Sequence, residues 1–196
     1  MHYDINDYPA IKDYLLSFGI ERLEQTGNTS LINGQLIKSR KKTNNKWFET
    51  QDSISYWDDF SRQKIIWKRV GSLIRFCYDE KGYFCLDSTC FATGENLKFL
   101  TLLLNSPMGK YLLKNSPKTG TGDLLISVQA IEPIKVPVIS KETGKMFESY
   151  FNDLLYYTNN KLYKQADELT SYVNNLIFNL YQLDFSEVEH ICAFEV

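Results

Sequence analysis

The sequence predicts an α+β protein: a twisted, mostly antiparallel β-sheet core with buried helices, followed by a long C-terminal helix and a short terminal helix. Three observations carry this. Between residues 47 and 91, short β-branched and aromatic runs alternate with turn-forming residues, which is the signature of strands. Residues 95–105 are apolar nearly all round (Leu97, Phe99, Leu100, Leu102, Leu103 and Leu104), so this helix is buried rather than laid on a surface. Leu162, Ala166, Leu169, Val173, Leu176, Leu180 and Leu183 then alternate steps of four and three, a seam for a long helix packed against another helix.

Taken in order, the first helix starts near Pro9, a residue suited to a first helical turn, and presents Ile11, Tyr14, Leu15 and Phe18 on one apolar face. Residues 27–46 are polar and rich in Gly, Asn and Thr. Asn33-Gly34, flanked by Leu31-Ile32 and Leu36-Ile37, reads as a type I′ hairpin, with a flexible loop as the alternative. Strands are expected at 47–50, 64–70, 73–78, 83–86 and 88–91, with a turn at 79–82 and a short helical connector at 55–60. The run 63–69 (Gln-Lys-Ile-Ile-Trp-Lys-Arg) is the anchor strand, apolar in the middle and basic at its ends. Ser106-Pro107 caps and opens a helix to about Asn115, and residues 116–122 form a loop before a strand-like stretch at 124–128. Pro133 and Pro137 keep the following stretch extended. Asp184 and Glu187 form a capping box for the last helix, with Leu183 and Val188 as its staple. The composition shift near Thr143 divides the chain into residues 1–140 and a helical segment, 141–196.

Composition excludes several function classes. At 196 residues and 43% hydrophobic content, the chain builds a real core. No apolar run reaches the roughly 20 residues of a membrane span, and no charged-then-apolar leader opens the chain. Cys77, Cys85, Cys90 and Cys192 match no zinc spacing and are expected as buried, reduced thiols, in keeping with a cytoplasmic protein. His2 and His190 are the only histidines, and no glycine-rich nucleotide loop is present. No catalytic, cofactor-binding or metal-binding residue is therefore assigned.

Binding is better supplied. The net charge is −2, but residues 38–75 carry 10 basic against 4 acidic side chains, whereas residues 141–196 carry 4 against 9. Such a local excess favours a polyanion, because counterions are released where phosphate is contacted. Lys38, Arg40, Lys41, Lys42 and Lys46 are candidate phosphate contacts. Asn44 and Asn45, with Asn28, Asn33 and Gln35, are candidate readers of base edges. Lys118, Thr119 and Thr121, beside Gly120 and Gly122, form a second candidate contact, although paired loop glycines also simply make turns.

The order of segments resembles the C-terminal specificity domain of TaqI-like and Eco57I-like adenine-specific DNA methyltransferases and type IIG restriction-modification enzymes. The resemblance rests on residues 8–15 (Tyr-Pro-Ala-Ile-Lys-Asp-Tyr-Leu), 47–50 (Trp-Phe-Glu-Thr), 56–60 (Tyr-Trp-Asp-Asp-Phe) and 64–67 (Lys-Ile-Ile-Trp). It continues through 79–84 (Asp-Glu-Lys-Gly-Tyr-Phe), 93–100 (Thr-Gly-Glu-Asn-Leu-Lys-Phe-Leu), 104–106 (Leu-Asn-Ser), 131–137 (Ile-Glu-Pro-Ile-Lys-Val-Pro) and 176–183 (Leu-Ile-Phe-Asn-Leu-Tyr-Gln-Leu). It implies a target-recognition domain that grips double-stranded DNA and reads bases in the major groove. A partner catalytic domain or subunit, which would bind S-adenosylmethionine, would flip and methylate the adenine. The chain itself lacks an Asn-Pro-Pro-Tyr motif and a cofactor loop, so it is expected to be a fragment or a free-standing subunit. The alternative is a helical assembly subunit whose 162–183 seam docks the methyltransferase, a second copy or a separate modification subunit, as in type I systems, set against the seam simply packing on its own domain; a stand-alone enzyme is the third reading.

Overall fold

The computed structural model describes residues 4–52 and 55–194. The chain divides into two compact units, Met1–Ser55 and Tyr56–Val196. The boundary expected at 140 marks where extended chain gives way to the long helices, whereas the contacts divide the chain between Ser55 and Tyr56.

In the first unit, a 3-10 turn, Ile5–Asp7, is capped by the Asp4 carboxylate. It leads into α1 (Pro9–Leu16), which opens on its proline as expected. The face carrying Ile11, Tyr14 and Phe18 is largely exposed, and Tyr14 and Phe18 meet edge to face at 5.2 Å. After α2 (Ile20–Leu23), strands β1 (Thr29–Ile32) and β2 (Gln35–Lys38) pair antiparallel with Leu31 opposite Leu36. Asn33 and Gly34 both take positive φ, 49° and 78°, as a type I′ turn requires. No strand forms at 47–50. That stretch turns instead, the Glu49 N–H donating to the Lys46 carbonyl at 3.0 Å, because its carbonyls are taken by side chains rather than by a neighbouring strand.

The second unit opens on a 3-10 helix, Trp57–Ser61, at the place of the expected connector. Strand β3 (Lys64–Lys68) is followed by β4 (Val70–Gly71), β5 (Phe76–Asp79) and β6 (Thr89–Thr93). The main sheet has the order β5-β3-β6, all antiparallel, with Ile65 between Tyr78 and Ala92. The anchor strand therefore sits at the centre of the sheet. It breaks at Arg69, whose N–H donates to Ser88 and whose carbonyl accepts from Ile126. The expected strand at 83–86 is absent. Asp79 bends the chain there by accepting the N–H groups of Lys81 and Tyr83, and β6 takes the place beside β3.

Lys64, at the start of the anchor strand, is basic but buried. It is 0% exposed, with Nζ 2.5 Å from the Asp79 carboxylate and 2.6 Å from the Phe60 carbonyl. Burial alone would raise the Asp79 pKa. The hydrogen bonds from Lys64 and from the Lys81 and Tyr83 N–H groups outweigh it and hold the carboxyl below its usual value.

Helix α3 (Leu97–Asn105) is buried along Leu97, Phe99, Leu103 and Leu104, as its all-round apolarity predicts. Ser106 accepts from the Gly109 N–H and caps α4 (Pro107–Leu112). Strand β7 is only Leu124–Leu125, paired with β4, and the expected strand to 128 ends early because Val128 enters a helical turn, α5 (Val128–Ile131). Two long helices follow where the composition points to one: α6 (Lys141–Asn159) and α7 (Tyr163–Leu180). Helix α7 packs against α3, α4 and α6, burying Val173, Ile177 and Phe178, while Leu169, Leu176, Leu180 and Leu183 pack against the same core. The seam thus serves its own domain. Helix α8 (Phe185–Cys192) starts with the expected Asp184–Glu187 capping box. The four cysteines are unpaired, as expected, but they are not buried: Cys77 and Cys192 are exposed, and Cys85 and Cys90 are half-buried. Cys77 and Cys90 lie on the two edge strands, Cys85 in the segment between them and Cys192 at the end of α8, places with less cover than a sheet centre gives. Among the described residues, no helix is long and apolar enough to cross a membrane.

Candidate nucleic-acid interface

The basic run leaves β2 and enters a loop that two polar side chains hold from inside. Gln25, only 4% exposed, donates from Nε2 to the Lys46 and Glu49 carbonyls, both at 2.9 Å, and accepts the Thr43 hydroxyl at 2.5 Å. Arg40 braces the loop from the other side. Its Nε donates to the Leu23 carbonyl at 2.8 Å, and its two terminal nitrogens donate to the carbonyls of Glu49 and Trp47. Backbone bonds from Gly27 to Arg40 and from Ser39 to Asn28 extend the hairpin past Lys38. The loop's carbonyls are gathered inward, and its lysines are left outside.

Lys38, Lys41, Lys42 and Lys46 are all exposed. Lys41 lies 3.6 Å from the Asp52 carboxylate, a surface pair that a phosphate displaces at little cost. The Lys46 ammonium lies 5.5 Å over the Phe48 ring. Asn44 is exposed, whereas Asn45 donates its amide to the Thr50 carbonyl at 2.8 Å. Arg40 differs from its neighbours, because its guanidinium is committed to backbone carbonyls. Lys12, which the composition of the run does not single out, joins Lys46, Asn6, Trp47 and Phe48 around a polar recess of about 570 Å³. Its ammonium is fixed by the Asn6 side-chain oxygen at 2.8 Å.

The second candidate loop lies in the other unit and is a tight turn. The Thr119 N–H donates to the Asp123 carbonyl at 2.8 Å, and the Gly122 N–H donates to the Thr119 carbonyl at 2.9 Å. Gly122 takes φ +90°, which suits glycine. The Thr119 and Thr121 hydroxyls lie 2.8 Å apart, and Thr121 donates to the Asp123 carboxylate at 3.3 Å. That carboxylate disfavours a phosphate at the hydroxyls, while Lys118 stays exposed beside them.

Chemically, the first loop is a set of outward ammonium groups on a fixed backbone, with amide side chains on the hairpin that feeds it. Exposed ammonium groups of this kind are the donors that phosphate oxygens accept from. The bracing by Gln25 and Arg40 is not marked in the sequence, since both look like ordinary polar residues; the one local sign is their placement just outside α2 and β2. Comparison with known proteins adds one match. The family model described as the TaqI-like C-terminal specificity domain matches residues 12–138. No curated protein matches the chain.

Proposed function

The chain belongs to the TaqI-like C-terminal specificity domain family, a DNA target-recognition domain, and we propose that it is the recognition part of an adenine-N6 DNA methyltransferase or type IIG restriction-modification enzyme. The observation that carries the reading is the braced basic loop inside the matched span, with Lys38, Lys41, Lys42 and Lys46 turned outward from a backbone fixed by Gln25 and Arg40. In this reading these lysines contact phosphates, and the exposed amides Asn33 and Asn44 read base edges. Lys118 is a further phosphate contact. The match ends at residue 138, which supports assigning recognition to residues 1–140 and packing to the helices that follow. In this reading the adenine is flipped into, and methylated by, a partner catalytic domain or subunit that binds S-adenosylmethionine.

The test is selection of duplexes from a random-sequence pool by the whole chain. Enrichment of one short sequence is the expected outcome. Retention without sequence preference would reduce the chain to a non-specific binder, and no retention would end the reading.

A further inference from the structure

The hairpin β1–β2 carries a feature that phosphate contact leaves unexplained. Leu31 and Leu36, 71% and 76% exposed, stand directly opposite each other beside the Asn33-Gly34 turn. Cross-strand partners share a face of a ribbon, so this face reads Leu31 and Leu36 near the tip and Thr29 and Lys38 at the base. The opposite face carries Ile32 and Ile37, both half-buried, and β2 lies against α2. The type I′ turn fixes this register; a one-residue slip would exchange the two faces and put the isoleucines outside. The exposure of the leucine pair is therefore built into the hairpin. One scattered exposed leucine needs no explanation, but an apolar pair at the tip of a ribbon whose base carries Lys38 points to a partner that is apolar in one place and anionic a few ångströms away.

We propose that this face enters the DNA major groove and that Leu31 and Leu36 lie against thymine C5-methyl groups; the proposal rests on the duplex-recognition reading above. The major groove, about 12 Å wide, admits a two-stranded ribbon, whereas the minor groove presents no methyl group for a leucine to meet. On the major-groove edges the one apolar group is the thymine methyl. A leucine pressed on a guanine, cytosine or adenine edge would bury polar groups that it cannot pair. The leucine pair thus selects thymine, while Lys38 at the base of the same face meets the phosphate that borders the groove.

Uracil differs from thymine by that methyl alone, which gives a direct test. A duplex pool enriched by the whole chain is copied once with thymidine triphosphate and once with deoxyuridine triphosphate, and both copies are titrated. The uracil copy should bind the wild-type chain about fourfold more weakly for each methyl removed from contact. The variant carrying Leu31→Ala and Leu36→Ala, changed only at exposed positions, should bind both copies alike and keep the wild-type salt dependence. Equal binding of the two copies by the wild-type chain overturns the proposal and leaves duplex recognition standing. Persistence of the discrimination in the double variant assigns it to other residues and overturns the proposal as well. Failure to enrich any duplex would remove the reading on which it rests.

Discussion

Gln25 and Arg40 gather carbonyls that would otherwise face outward beside the lysines, and each does so with a side chain that has no slack. Gln25→Ala removes one of two donors from each of the Lys46 and Glu49 carbonyls, which keep the Glu49 N–H and Arg40, and removes the acceptor of the Thr43 hydroxyl. The expected cost is about 1–3 kcal/mol of local stability, seen as faster amide exchange at Thr43 and Glu49. The buried Lys64–Asp79 pair answers to the same logic in the other unit. Asp79→Ala strands an ammonium that is 0% exposed, and should cost about 3–5 kcal/mol in urea unfolding, with loss of the turn at 79–83. Its pH dependence has a definite sign. The folded carboxyl is held below its unfolded value, near 3.9, so the stabilisation is complete above that value. It is lost as pH falls through the lower folded pKa, and Asp79→Asn should flatten that acid limb.

At the scale of elements, Ile177 fixes what the leucine seam does. It is 0% exposed in the last turn of α7, so Ile177→Ala should cost about 2–5 kcal/mol in chemical denaturation. Sedimentation of the variant should match that of the wild-type chain, since the seam is filled by α3, α4 and α6. Elements whose cause is local were legible in the sequence. Asn33-Gly34 specified the type I′ hairpin, Ser106-Pro107 the cap of α4, and Asp184 with Glu187 the capping box of α8. Elements whose cause is distant were not. Residues 47–50 have the aromatic content of a strand but lose their carbonyls to Gln25 and Arg40, some 20 and 10 residues back. Residues 83–86 lose the place beside β3 to β6. Helix α6 had a signal in Phe147, Tyr150, Phe151 and Leu154 at helical spacing, which the stronger leucine pattern of α7 overshadowed.

For the whole molecule, the proposed DNA contact follows the charge distribution. Residues 141–196, with 4 basic against 9 acidic side chains, repel phosphate, and the excess in 38–75 attracts it. The candidate phosphate contacts were legible because charge is a property of composition. The difference inside the run was not, since Arg40 as a brace and Lys42 as an exposed ammonium differ only in what surrounds them. If the braced loop binds duplex phosphate through its exposed lysines, the salt dependence of duplex binding reports those contacts. The wild-type chain is compared with a variant carrying Lys41→Ala and Lys42→Ala, and with a control carrying Lys161→Ala and Lys164→Ala. Each phosphate contact contributes about 0.9 to the slope of log affinity against log salt, so the first variant should lose about 1.8 while the control keeps the wild-type slope. An unchanged slope in the first variant would remove Lys41 and Lys42 from the DNA interface.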